Sequence, residues 1–139
     1  MTVALLDTNV LLALAWPNHQ HHAPAHRWFA RSRDGWATCA LTELAFVRLS
    51  SNPAFTRDAV SPRDAVRLLA RLRKLPGHRA WDSLPAVADL DGMALIGHQQ
   101  INDAYLLLVA QRHRGVLATF DARIAGWAGT QRHVAVIEA

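Results

Sequence analysis

The chain has 139 residues, 51% of them hydrophobic, enough to bury the core of a single domain over 1–139 and too apolar for a disordered chain. Its net charge is +4, from fifteen basic and eleven acidic residues, and all of the basic residues except Lys74 are arginine. A single cysteine excludes an intramolecular disulfide framework, and no apolar run approaches the ~18 residues that a membrane span needs.

The apolar N-terminus is cut by Asp7 and lacks the basic start of a secretory signal, so a soluble cytoplasmic protein is expected. VALL, at 3–6, has the branched, apolar character of a short buried strand. Thr8 or Asn9 is expected to cap a helix through VLLALAW, closed by Pro17 and Asn18. A second helix is expected over 23–33, ended by Asp34 and Gly35. WATCA reads as a second buried strand with Cys39 as core filler, followed by helix LTELAFVRLS and the breaker Asn52-Pro53. Ser61-Pro62-Arg63-Asp64 starts a helix that runs to 75, where Pro76-Gly77 stops it. HRAWDSL is a third strand, and 85–99 carry no clear pattern beyond a short helix or loop. Asn102 is expected to cap the helix DAYLLLVAQRHR, closed by Gly115. VLATF and HVAVIE are the fourth and fifth strands. Short apolar strands alternating with helices specify an α/β sandwich, with a central parallel sheet of about five strands between two helical layers.

Parallel α/β sheets carry their sites at the carboxyl ends of the strands. Asp7 follows the first strand directly, and Asp121 closes VLATFD in the same way. Glu43 lies in the first turn of the helix after WATCA, and Asp103 in the first turn after Asn102. Right-handed crossovers start each helix near the edge where its strand ended, so all four acids are expected at one edge. On their helices Glu43 shares a face with Phe46 and Val47, and Asp103 with Leu106, Leu107 and Ala110, which sets both apart from solubilising surface acids. Any one of them could instead be a helix cap or an arginine's partner. Four repelling carboxylates at one edge call for a divalent cation, and all-oxygen ligation suits Mg²⁺ or Mn²⁺ over zinc.

LLDTNVLL, the glutamate of CALTELAF, INDAYLLLVA and LATFD, in this order, resemble the PIN-domain ribonucleases, in particular the VapC-type toxins of bacterial toxin–antitoxin pairs. The resemblance covers nearly the whole chain and is least marked over 52–95. It implies a PIN-like α/β/α sandwich in which Asp7, Glu43, Asp103 and Asp121 are the acidic metal-site residues. Asn9 and Thr119 match the polar positions that accompany the first and last acids. It further implies RNA hydrolysis with Mg²⁺ or Mn²⁺, inhibition by a cognate antitoxin, and a homodimer.

Setting the four site acids aside leaves seven acidic residues against fifteen basic ones, a balance that favours a polyanionic substrate. Arg63, Arg67, Arg71 and Lys74 fall on one helical face opposite a stripe of Ala65, Leu68, Leu72 and Leu75, as an RNA patch, an antitoxin contact or an ordinary solvated face. Arg112, Arg114 and Arg123 are closer in sequence to the acids and are further RNA candidates. His19, His21, His22 and His26 lack the third fixed ligand of a zinc pattern and read as a solvated loop and helix start. Trp28 and Trp36 read as core, while Trp16 and Trp127 stay open. Two rival classes remain at this point. One is a phosphatase-like enzyme with Asp7 as nucleophile, disfavoured because no strand leads into Lys74. The other is a non-catalytic RNA- or partner-binding domain.

Overall fold

The computed structural model describes residues 2–32, 34–127 and 129–138. Its centre is built by alternation within very short strands. In β1 (Ala4–Leu6), Ala4 and Leu6 face one helical layer and Leu5 the other, because successive strand side chains point to opposite faces. β2 (Trp36–Thr38) and β4 (Val116–Thr119) repeat the division: Trp36 and Ala118 join Leu6, while Ala37 and Leu117 join Leu5. With the edge strands β3 (His78–Ala80) and β5 (Val134–Val136) they form one sheet in the order β3-β2-β1-β4-β5, every neighbouring pair parallel.

Four helices cover the Leu6 face: α1 (Thr8–Ala15), α2 (His22–Arg31), α3 (Ala40–Ser50) and α4 (Pro62–Leu72). Phe46, fully buried between α3 and the sheet, anchors this layer, and burial of a side chain of that size contributes about 2–3 kcal/mol. α5 (Ile101–Arg112) and the one-turn α6 (Ala122–Ala125) cover the Leu5 face through Leu106, Leu107, Val109 and Ile124. The result is the expected three-layer α/β/α sandwich. No helix among the described residues is long and apolar enough to cross a membrane.

Several local expectations change. The cap of α1 is Asp7 itself, one residue earlier than Thr8, which is the first helical residue. Asn102 does not cap α5: the helix starts at Ile101, continuous with a 3-10 turn over His98–Gln100, and the side chain at its cap position, Gln100, accepts the Ile96 N–H at 3.0 Å instead of capping the helix. The third strand is only His78–Ala80, and α4 ends at Leu72, so Leu69 rather than Leu75 completes its apolar stripe. The second helix ends at Arg31; its expected last residue, Arg33, lies outside the described residues. The unpatterned 85–99 segment forms a 3-10 turn over Val87–Gly92 that buries Leu90 against Ala104 and Leu108 of α5.

The order of the strands positions the site. From β1 the chain winds first to one side, through β2 and β3, and then returns to place β4 on the other. Beyond the carboxyl ends of β1 and β4 the two halves diverge, which leaves a crevice at the switch point.

Candidate active site

Asp7 leaves β1 at this seam, its backbone N–H bonded to the carbonyl of Ala118 in β4 at 3.0 Å. Its two carboxylate oxygens have separate tasks. Oδ1 accepts the backbone N–H of Thr8 at 2.8 Å, capping α1, and Oδ2 accepts the hydroxyl of Thr119 at 2.8 Å. Asp7 is therefore a helix cap without being removed from the crevice. Burial raises its pKa; the bonds from Thr119 and Thr8 oppose the rise, and the charge of Asp121 adds to it.

Thr119 is 1% exposed and ties two acids together, because its oxygen also accepts the backbone N–H of Asp121 at 3.1 Å. Asp103 stands in the first turn of α5. Its pKa is pushed up to about 6, first by burial and then by repulsion from Asp7 and Asp121. Asp121 behaves in the opposite way. Arg123 grips both of its oxygens, at 3.0 and 2.9 Å, and holds its carboxyl below the ordinary value.

Asp7, Asp103 and Asp121 line one cavity of about 480 Å³, together with Asn9 and Thr119. The structure does not bring Glu43 into it. Glu43 sits at the same sheet edge but beside β2, where its Oε2 accepts the hydroxyl of Thr38 at 2.6 Å and lies 3.6 Å from Nε of Arg73. His78 of β3 bonds Thr38 in turn, at 2.7 Å. Arg112 is also absent from the cavity. It lies nine residues beyond Asp103, about 13 Å along α5, and pairs with Asp89 at 3.2 Å. Arg114 follows at that same far end.

The opposite wall was not legible as part of a site. His19, Gln20 and His21, from the α1–α2 connection, face the acids together with Phe55 and Phe120. The His21 and Phe120 rings are 4.7 Å apart. The histidines do form a loop and a helix start with none of them buried, and each also has a specific setting. His22 bonds the carbonyl of Ala13 at 2.7 Å and His26 that of Leu14 at 2.9 Å, closing the last turn of α1, while His19 and His21 line the cavity. The one available signal was Phe120 lying between Thr119 and Asp121. Of the two open tryptophans, Trp16 donates its indole N–H to Ser50 at 3.1 Å and Trp127 packs against the α5 layer.

Among the described residues neither Asp7 nor Asp103 has a cationic side-chain partner, and no three ligating groups are close enough to chelate an ion as they stand. Two carboxylates that repel each other in a half-buried cavity, with Arg123 offsetting the repulsion only in part, fit a hard divalent cation. Their all-oxygen donor set suits Mg²⁺ or Mn²⁺.

Comparison with known proteins gives consistent results. Residues 4–129 match the family described as the PIN domain. Among similar proteins of Mycobacterium tuberculosis, Ribonuclease VapC39 is 44% identical over 88% of this chain and 91% of its own. Ribonuclease VapC38 is 46% identical over 88% and 87%, and Ribonuclease VapC44 is 38% identical over 96% and 99%. Two solved structures share the fold, each with a TM-score of 0.62. One is M. tuberculosis VapC20, described as a sarcin–ricin loop cleaving toxin, at 19% identity over 91% of this chain and 95% of that one. The other is a toxin–antitoxin complex from Klebsiella pneumoniae, at 18% identity over 96% of each chain.

Proposed function

The chain belongs to the PIN-domain family and groups with its VapC ribonucleases, and on that premise we propose that it is an endoribonuclease acting as the toxin of a toxin–antitoxin pair. The observation that carries this reading is the convergence of Asp7, Asp103 and Asp121 at the β1/β4 seam, where Asp7 repels Asp103 and neither is bridged to a cationic side chain among the described residues. These three would hold a Mg²⁺ ion, for which Mn²⁺ can substitute, with Glu43 the outlying fourth acid at the same sheet edge. Once bound, the ion supplies a water of lowered pKa and polarises a phosphoryl oxygen.

The chain's own residues supply the positioning. Thr119 fixes one oxygen of Asp7 and the loop that carries Asp121, so the two acids keep their spacing. Asn9 presents an amide to the cavity for a phosphate or ribose oxygen. Arg123, exposed on the outer side of Asp121, can exchange that carboxylate for a phosphate. The excess of arginine elsewhere favours a polyanion without reading its sequence. A cognate antitoxin, a homodimer and a cytoplasmic location are part of the same proposal; the fold's likeness to a chain of a toxin–antitoxin complex supports the first of these. The whole described chain is taken to work as one nuclease domain.

Incubation of the purified protein with RNA tests the reading. Cleavage is expected with Mg²⁺, with loss in EDTA and in Asp7→Asn. Undiminished cleavage in either condition would overturn it, and binding without cleavage would favour the non-catalytic alternative.

A further inference from the structure

Beside the acidic cavity lies a second one, of about 240 Å³, between the end of α1, the last turn of α3 and the α3–α4 loop. His19, Gln20 and Phe55 border both, so the two are neighbouring compartments of one depression. The second compartment differs in character from the first. Among the described residues no carboxylate lines it, and Leu12, Trp16 and Phe55 supply apolar walls. Around these stand neutral polar groups. His19 accepts the His21 backbone N–H at Nδ1, at 3.0 Å, which leaves its Nε2–H as a donor. Asn18 donates to Asp58 and keeps its carbonyl oxygen as an acceptor, and Gln20 offers both.

The compartment is also braced. The Asn18–Asp58 bond ties the loop carrying His19 to the loop carrying Phe55. The Trp16–Ser50 bond fixes the indole that forms its back wall. Phe55 is 48% exposed although it stands in a turn where a polar residue would serve, and its ring forms the threshold between the compartments. An apolar, aromatic slot edged by a few fixed donors and acceptors is the usual chemistry of a small planar ligand site.

Resting on the ribonuclease reading above, the geometry points to the Trp16–Phe55 compartment as a pocket for one unpaired nucleobase of the RNA, adjacent to the phosphate held over Asp7 and Asp103. Aromatic faces take a base lifted out of its stack, and the neutral polar groups at the rim address its edge. A base paired in a duplex cannot enter, which makes the duplex the control for the pocket.

The test uses the full chain with Asp7→Asn, which silences cleavage, and a hairpin RNA with an unpaired loop. Each loop position is made abasic in turn, and the blunt duplex of the same stem is measured beside it. Affinity is expected to fall about five- to a hundredfold at one loop position, with the duplex bound weakly. Adding Phe55→Ala to the silenced protein should abolish that positional difference, and Phe55→Tyr should restore it. An equal response at all loop positions, or a positional difference that survives Phe55→Ala, overturns the base pocket. If the wild-type protein nevertheless cleaves the hairpin, the ribonuclease reading stands without the pocket; if the wild type neither cleaves nor binds it, both fail.

Discussion

At the scale of single residues, the cavity is governed by which acids have partners. Asp121 is gripped by Arg123, whereas at Asp103 burial and the repulsion of Asp7 and Asp121 outweigh the attraction of Arg123 and move its carboxyl from the ordinary 3.8 to about 6. The folded protein therefore binds the extra proton between these values. The stability associated with it is complete below about pH 4 and is lost as pH rises through about 6. Asp103→Asn removes the repulsion, and without added metal this variant is expected to melt a few degrees above wild type near neutral pH, with no difference at about pH 4. Thermal melts across that range check it. Thr119→Val keeps the shape but removes the hydroxyl bonded to Asp7. A loss of about 1.5–3 kcal/mol in urea unfolding is expected, together with slower RNA cleavage.

At the scale of elements, close approach rather than backbone conformation explains one glycine. A Cβ on Gly115 would stand 2.4 Å from the Val3 carbonyl and 2.6 Å from the Trp81 ring, where the end of α5 passes the sheet. The turn's left-handed residue is instead Arg114, with φ of 58°. Gly115→Ala is expected to cost at least about 1–3 kcal/mol by denaturant unfolding, because neither backbone nor a buried indole can yield cheaply. The strands were legible because VALL, WATCA and VLATF are apolar on both faces, as a sheet covered twice requires. Helix starts were less so. Asp7 took the cap from Thr8 because a carboxylate at the strand end can accept the Thr8 N–H and the Thr119 hydroxyl together. Asn102 lost the role assigned to it because the preceding 3-10 turn already directs the chain into α5. His22 and His26, one helical turn apart, look like a metal pair in sequence; only the fold reveals that they serve the carbonyls of α1.

At the scale of the molecule, the sheet order gathers residues 7, 103 and 121 at one point, and strand polarity alone was enough to anticipate that edge. Polarity specifies the edge but not the position along it, and Glu43 emerges beside β2 in contact with Thr38, outside the lining of the cavity that the other three acids share. The aromatic wall was hidden for a related reason: Phe55 and His21 come from two loops distant in sequence, joined by the Asn18–Asp58 bond. The basic face of α4 is placed beside Trp16 and Pro17, with Arg67, Arg71 and Lys74 along one groove. If this groove contacts phosphates, Arg67→Ala and Arg71→Ala should each flatten the salt dependence of single-strand binding, by about 0.7 in log–log slope. An unchanged slope with weakened antitoxin binding would assign the groove to the partner.

Direct titration of Mg²⁺ or Mn²⁺ into the purified chain, followed by calorimetry near neutral pH, addresses the cation at the seam without relying on any RNA. Saturable binding is expected in wild type and at least about tenfold weaker binding in Asp103→Asn. A wild-type chain that takes up no divalent ion, or a variant that binds it equally well, would contradict the assignment of these acids to a metal.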